Sequence, residues 1–301
     1  MTPNDPPRFR DLAAADAVVA AELLAGASPA PRRAPSAAAV GAAWSTPEAG
    51  FVAVDGSGLA ALATVHLGPS IYTGDDWAHI EDFVVRGGDE EPLTGALLRH
   101  TLRALTARGF PQASIGMPTG QEWLAGEARA AGLVEELQYM GRDRLDEVSA
   151  VVPPGLAVRA AHDGDAARLS DLVGVFAREF GYPSAAHPAT VTDYLGRHNT
   201  GCLIAEYGDE AAGFVATSTP FSLHYGGLSL MIDDLVVLPE LRRRGIAAAL
   251  VERALECASE RGCTVARLWM QPEAPAARGF YAALGFTDFG QVLMLPTADG
   301  H

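Results

Sequence analysis

The chain has 301 residues, 49% hydrophobic and 20% charged, and its 37 acidic against 22 basic side chains leave a net charge of −15. That length accommodates two domains with cores of their own, and the composition is too apolar for disorder. The acid excess excludes a sequence-independent nucleic-acid binder, which needs a basic face for phosphates, and favours neutral or cationic small partners.

The first residues, MTPNDPPRFRDL, lack a basic stretch followed by an apolar one, so no signal peptide is expected. No run of 18 apolar residues occurs without a charge, so no spanning helix and no membrane partner are expected, and the protein reads as cytoplasmic. The Pro/Ala-rich stretch Ala27–Ala39 reads as a loop or flap, and Trp44, in polar surroundings, is a candidate pocket residue. Near the middle, Asp146–Gly155 (DEVSAVVPPG) reads as a linker dividing the chain into domains 1–148 and 155–301.

The two halves align on each other. Ile80-Glu81-Asp82-Phe83-Val84-Val85 matches Ile232-Asp233-Asp234-Leu235-Val236-Val237 at an offset of 152, and Arg108-Gly109 matches Arg261-Gly262 at 153. Matches in order with one residue of drift indicate a repeated domain. In the second half the expected order is a strand over Leu156–Ala161, then a helix over Asp163–Phe180 with Asp163 as N-cap. A helix over Ala189–His198 and a hairpin of Cys202–Tyr207 with Ala211–Ser218 follow. Leu228–Leu238 is a long strand holding two adjacent acids. From Arg244 the apolar residues Ala247, Leu250, Val251, Ala254, Leu255 and Ala258 keep a helical period up to the stop at Gly262. Thr264–Met270 is a strand, Pro275–Leu284 a helix and Thr287–Leu295 a closing strand. Cys202, Cys257 and Cys263 form no CxxC and are expected to be reduced thiols, with no metal site.

The chemistry concentrates at 234–248, where an apolar strand runs into Arg242-Arg243-Arg244-Gly245 and an amphipathic helix. Main-chain N–H groups at a helix start are unpaired and carry partial positive charge, and glycine allows close approach, so the turn suits a pyrophosphate. It is neither a Walker A loop nor a GxGxxG fingerprint.

Arg242-x-x-Gly245-x-Ala247 after Asp234-Leu235-Val236-Val237 resembles motif A of the GNAT acetyltransferase superfamily, and Ala276-Ala277-Arg278-Gly279-Phe280-Tyr281-Ala282-Ala283-Leu284-Gly285-Phe286 resembles its motif B. The resemblance covers the C-terminal half. It implies an α/β (α+β) protein of two tandem GNAT-like domains, each a mixed, mostly antiparallel sheet flanked by helices. It also implies acetyl-CoA as co-substrate and no metal. By the same resemblance, Leu235, Val236 and Val237 pair with the pantetheine arm. Arg242, Arg243, Arg244, Gly245, Ile246, Ala247 and Ala248 hold the pyrophosphate. Tyr281 is the general acid and Asp233 the candidate base, with Asp234 pointing to the opposite face of a regular strand. His224 and Glu206 are candidate substrate contacts. One departure is Ala274, where the family often has Asn.

In the first half Arg242–Gly245 becomes Glu90-Glu91-Pro92-Leu93 and Tyr281 becomes Ala128, while Glu81 keeps the Asp233 position. Residues 1–148 are therefore expected to be a degenerate, non-catalytic copy, either a wall of the substrate cleft or a structural relic. The function expected is transfer of an acetyl group to a primary amine of a small cationic molecule: a polyamine, an aminoglycoside-like compound or an amino-acid derivative. The protein is expected to be a monomer with an internal pseudo-dimer, or a homodimer. Two other readings stand beside it: acylation of an amino-sugar conjugate as by mycothiol synthase, and a non-catalytic acyl-CoA-binding regulator.

Overall fold

The computed structural model describes residues 7–25, 50–55, 58–72, 74, 76–87, 91–110, 112–147, 151–180 and 187–296. Ala27–Ala39, Trp44 and Glu90, with the side chain of Glu91, lie outside the described residues.

The first half runs β1 (Arg8–Asp11), α1 (Ala17–Ala25), β2 (Gly50–Asp55), β3 (Gly58–Pro69), β4 (Asp76–Val85), α2 (Glu91–Ala107), β5 (Ala113–Pro118), α3 (Leu124–Ala130) and β6 (Glu135–Arg142). The second runs β7 (Leu156–Ala160), α4 (Ala166–Phe180), α5 (Pro188–Gly196), β8 (Thr200–Tyr207), β9 (Glu210–Ser218), β10 (Phe221–Ser222), β11 (Gly227–Val237), α6 (Ile246–Glu260), β12 (Val265–Met270), α7 (Pro275–Ala283) and β13 (Thr287–Met294). Gly58 and Glu210, Ala113 and Val265, and Glu135 and Thr287 open equivalent strands 152 residues apart, so the sequence repeat is a repeat of structure.

All the long strands form one sheet in the order β1-β2-β3-β4-β5-β13-β6-β12-β11-β9-β8-β7. Among the described strands, only β4–β5 and β11–β12 are parallel. At its centre the halves exchange their last strands: β13 lies between β5 and β6, and β6 lies between β13 and β12. The exchange requires close packing. A Cβ on Gly141 of β6 would fall 2.1 Å from the Phe289 ring of β13, so a side chain there is excluded by overlap. Arg142, at the end of β6, donates to the Leu284 carbonyl at 2.6 Å and pairs with buried Glu252 of α6. The first half's last residue in the sheet is thereby fastened to two helices of the second.

In the second half both faces of the sheet are covered. Leu230, Ile232, Val237 and Leu268 pack under α6 and α7 with Leu250, Leu255 and Tyr281. Ile204, Phe214, Ala216 and Val236 pack against Leu169 and Val173 of α4 and Val191 and Tyr194 of α5. The expected cap Asp163 is not the one used. His162 Nδ1 accepts the Gly164 N–H at 3.1 Å, and a 3-10 turn over Asp163–Asp165 precedes α4. Asp165 instead accepts from the His162 main chain and from Arg159, which draws its carboxylate back toward the strand. Among the described residues, no helix is long and apolar enough to cross a membrane.

Candidate active site

The site forms where β11 loses one neighbour and changes register with the other. Its parallel pairing to β12 runs only from Ser229 opposite Val265 to Ile232 opposite Leu268. Beyond that, β12 continues beside β6 and β11 beside β9, so the two strands part in a V. The Leu238 N–H bonds to Ala212 on β9. Main-chain groups alternate sides along a strand, so those of Leu235 and Val237 face the edge that β12 has left. An extended amide-bearing chain can add to that edge, as the family resemblance implies for the pantetheine arm.

On the β9 side the register slips between Ile232 and Asp234, which makes Asp233 an inserted residue. The slip inverts the strand's alternation. Leu230 and Ile232 face α6 before it, and Leu235 and Val237 face α6 after it, while Val236 faces α4 and α5. Both aspartates consequently turn to the α4–α5 face. Ser218 Oγ donates to Asp233 at 3.0 Å, Tyr72 of the first half donates to Asp234, and both carboxylates act on the Tyr194 phenol of α5. The expectation that Asp234 points away from Asp233 assumed a regular strand, and the bulge overturns it.

Burial, reinforced by the Asp234 charge, pushes the Asp233 carboxyl well above its usual range. Burial also raises Asp234, to about 6, against the hydrogen bond from Tyr72, which favours the ionised form. Tyr281 is buried on α7 between the Phe280 and Phe286 rings, with centroids 4.9 Å and 5.5 Å away. Burial, then the Asp234 charge, raises its phenol, so it stays protonated at neutral pH. The general-acid candidate and Asp234 are therefore in electrostatic reach of each other.

The arginine turn has the shape of an anion cradle. Arg243 (φ 60°) is the one non-glycine residue with positive φ among those described, and Gly245 (φ 82°) caps α6 without a side-chain hydrogen bond. Two left-handed residues around Arg244 curl the main chain so that successive N–H groups converge. The first bond of the helix is from Ala249 N–H to the Gly245 carbonyl at 3.0 Å, which leaves Ile246, Ala247 and Ala248 as helix-start donors. These features fit a pyrophosphate. Arg242 has a different place: it grips Glu179 of α4 with both guanidinium arms and donates Nε to the Val237 carbonyl at 3.0 Å. It braces the turn. Arg244 donates to the Glu240 carbonyl at 3.2 Å, and Arg243 is exposed.

Two candidates lie elsewhere. Glu206 sits near the outer edge of the sheet, paired with Arg159 at 2.8 Å and Arg168 at 2.7 Å; those arginines hold its carboxyl below the usual value despite burial. His224 belongs to a loop that leans on the first half, its N–H bonded to Asp82 at 2.9 Å and its neighbour Leu223 packed with Val52, Leu62 and Val84. Sequence reasoning missed Tyr72, Tyr194 and Ser218. Tyr72 was within reach, since it lies 152 residues before His224, at the equivalent position of the repeat.

In the first half, β4 bulges at Glu81, where the register with β3 slips between Thr64 and Val65. Glu81 is buried and paired with Arg267 of β12 at 2.6 Å, and Ala128, opposite Tyr281 in the repeat, is buried in the core.

Residues 169–286 match the model described as Acetyltransferase (GNAT) family. Over 90 residues the chain is 46% identical to an uncharacterized N-acetyltransferase of Archaeoglobus fulgidus, covering 30% of this chain and 61% of that protein. Over 83 residues it is 36% identical to mycothiol acetyltransferase of Mycobacteroides abscessus, covering 28% of this chain and 26% of that protein. The chain thus spans less than two thirds of the curated relatives it matches. Among solved structures, a tandem GNAT protein from the clavulanic acid biosynthesis pathway superposes with a TM-score of 0.60 at 18% identity, over 96% of this chain and 97% of that one. This last likeness is one of fold.

Proposed function

From the premise that the stretch 169–286 is of the acetyltransferase (GNAT) family, we propose that the protein transfers an acetyl group from acetyl-CoA to the primary amine of a small, cationic molecule. A polyamine, an aminoglycoside-like compound or an amino-acid derivative would suit. The observation that carries the reading is the junction of three features on one strand: the V between β11 and β12, the bulge at Asp233, and the left-handed turn Arg243–Gly245. A cradle, a slot and a pair of carboxylates follow one another along the path a nucleotide thioester would take.

Acetyl-CoA supplies the acyl group already activated as a thioester. The N–H groups of the turn and helix start, with Arg243, hold its phosphates, while Leu235 and Val237 pair with its arm. The main chain near Leu235 offers the donor for a carbonyl oxygen that gains charge during attack. Asp234, near 6, is the member of the pair ionised at neutral pH, so it binds the acceptor's ammonium and takes up the proton that must leave, with the raised Asp233 carboxyl beside it. Tyr281, kept protonated, hands a proton to the departing thiolate. Domain 1–148 supplies no reacting group of its own: its bulge acid is paired with Arg267 and its Tyr281 position is an alanine.

Calorimetric titration with acetyl-CoA, followed by thiol release with a panel of primary amines, tests the reading. One site per chain is expected. Tyr281→Phe should lose roughly 10²–10⁴ in kcat with acetyl-CoA affinity within about twofold. No binding by the wild type would end the acetyltransferase reading, and binding without release by any amine would favour a regulator.

A further inference from the structure

The turn joining β3 to β4 in the first half reaches across onto the second. Ile71 is buried among Leu169, Val173 and Tyr194, and the Tyr72 ring stacks on Phe176 of α4 at 5.2 Å. Local bonds hold the turn: Ser70 Oγ accepts the Tyr72 N–H at 3.2 Å and the Ser70 carbonyl accepts the Gly74 N–H at 2.9 Å. Asp76, just beyond, pairs with Arg197 after α5 at 2.7 Å. With ring and main chain both secured, the Tyr72 hydroxyl donates to Asp234 Oδ1.

The reverse contact exists and differs in kind. Asp82, 152 residues before Asp234, accepts the N–H groups of Leu223 and His224 at 2.9 Å each and the hydroxyls of Thr64 and Ser222 at 2.7 and 3.1 Å. Four donors saturate that carboxylate, so it serves as a clamp for a loop. Among the described residues one donor, the Tyr72 hydroxyl, reaches Asp234, on Oδ1, so that carboxylate is oriented without being saturated.

We propose that the first half completes the acceptor site of the second, with Tyr72 as the positioning residue that holds Asp234 ready for the amine. This inference rests on the acetyltransferase reading. It gives the first half a role at the site that a structural relic would not have, and it makes the site a property of the tandem chain. A carboxylate carrying one phenolic hydrogen bond is oriented and favoured in its ionised form. Asp234 is acted on by burial and by the Tyr72 hydroxyl, and its charge in turn reaches Asp233 beside it, Tyr194 of α5, Cys202 of β8 and Tyr281 of α7. Burial favours the neutral form, and the Tyr72 hydroxyl opposes it. Tyr72→Phe removes the hydroxyl and keeps the ring on Phe176, so it isolates the contact without opening a cavity.

The test is an infrared titration of carboxyl bands on the full chain, with Asp234 identified by the band lost in Asp234→Asn. Tyr72→Phe should raise the Asp234 midpoint by about one pH unit or more, a tenfold gain in proton affinity, while acetyl-CoA affinity by calorimetry stays within about twofold. An unmoved midpoint beside normal acetyl-CoA binding overturns this inference alone. Lost acetyl-CoA binding in Tyr72→Phe also overturns it, because the residue would then serve the cofactor site or the fold. A wild type that binds no acetyl-CoA overturns the acetyltransferase reading and the acceptor role with it.

Discussion

Asp233 and Asp234 are costly residues for a half-buried strand, and their chemistry turns on the sign of that cost. An exposed aspartate titrates near 3.9, and Asp234 in the fold does so at about 6. A carboxyl whose folded value is raised stabilises the protein fully below its unfolded value and loses that contribution as pH climbs through the folded one. Asp234 therefore weakens the fold progressively between about pH 4 and pH 6 and holds that deficit above. Asp234→Asn should melt higher than the wild type at pH 8, with the difference vanishing near pH 4, while acetyl transfer slows; melting curves across pH check the first part. A gain over the wild type no larger at pH 8 than at pH 4 would contradict the burial argument. Glu206 shows the opposite case: Arg159 and Arg168 compensate it and hold its carboxyl below the usual value.

At the scale of elements, the start of α6 was legible because its signals are local. Apolar residues at helical spacing after Arg-Arg-Arg-Gly identify a helix, and the helix observed begins at Ile246 and ends at Glu260. The left-handed glycine is equally local: at φ 82° a Cβ is strained, and it would also stand 3.3 Å from Pro153. Gly245→Leu should thus lose acetyl-CoA binding by more than about tenfold with circular dichroism unchanged, since the fault is confined to the turn. Unaltered binding would move the pyrophosphate elsewhere. The bulge in β11 was not legible. No glycine or proline marks it, and it is defined only by which residue of β9 each neighbour opposes. Reading the strand as regular put Asp234 on the wrong face for that reason.

For the whole molecule, the decisive feature is the central pair β6 and β13. Each half supplies the strand that completes the other's sheet, and buried pairs such as Arg142–Glu252 and Glu81–Arg267 cross between halves. Removing one partner of such a pair costs about 3–5 kcal/mol, and losing a central strand exposes its neighbours' main-chain groups as well. Residues 1–150 and 151–301 made separately should therefore be insoluble or unfolded, and made together they should co-purify as a folded complex. Two soluble, independently folded fragments would show that the exchange is dispensable. The same intimacy allows a first-half turn to end on Asp234.

The sequence by itself determined the repeat, the order of nearly every element of the second half, the arginine–glycine turn that opens α6 and the helix that carries Tyr281, because each is written in contiguous spacing: a period, a stop, a motif. Only the tertiary structure decided that both aspartates share a face, that Arg242 braces the turn against Glu179, that Glu206 pairs with two arginines and the His224 loop with Asp82, and that Tyr72 reaches Asp234. Those outcomes depend on pairing between segments distant in the chain. A register slip or an exchanged strand changes which side chains meet without altering any local pattern.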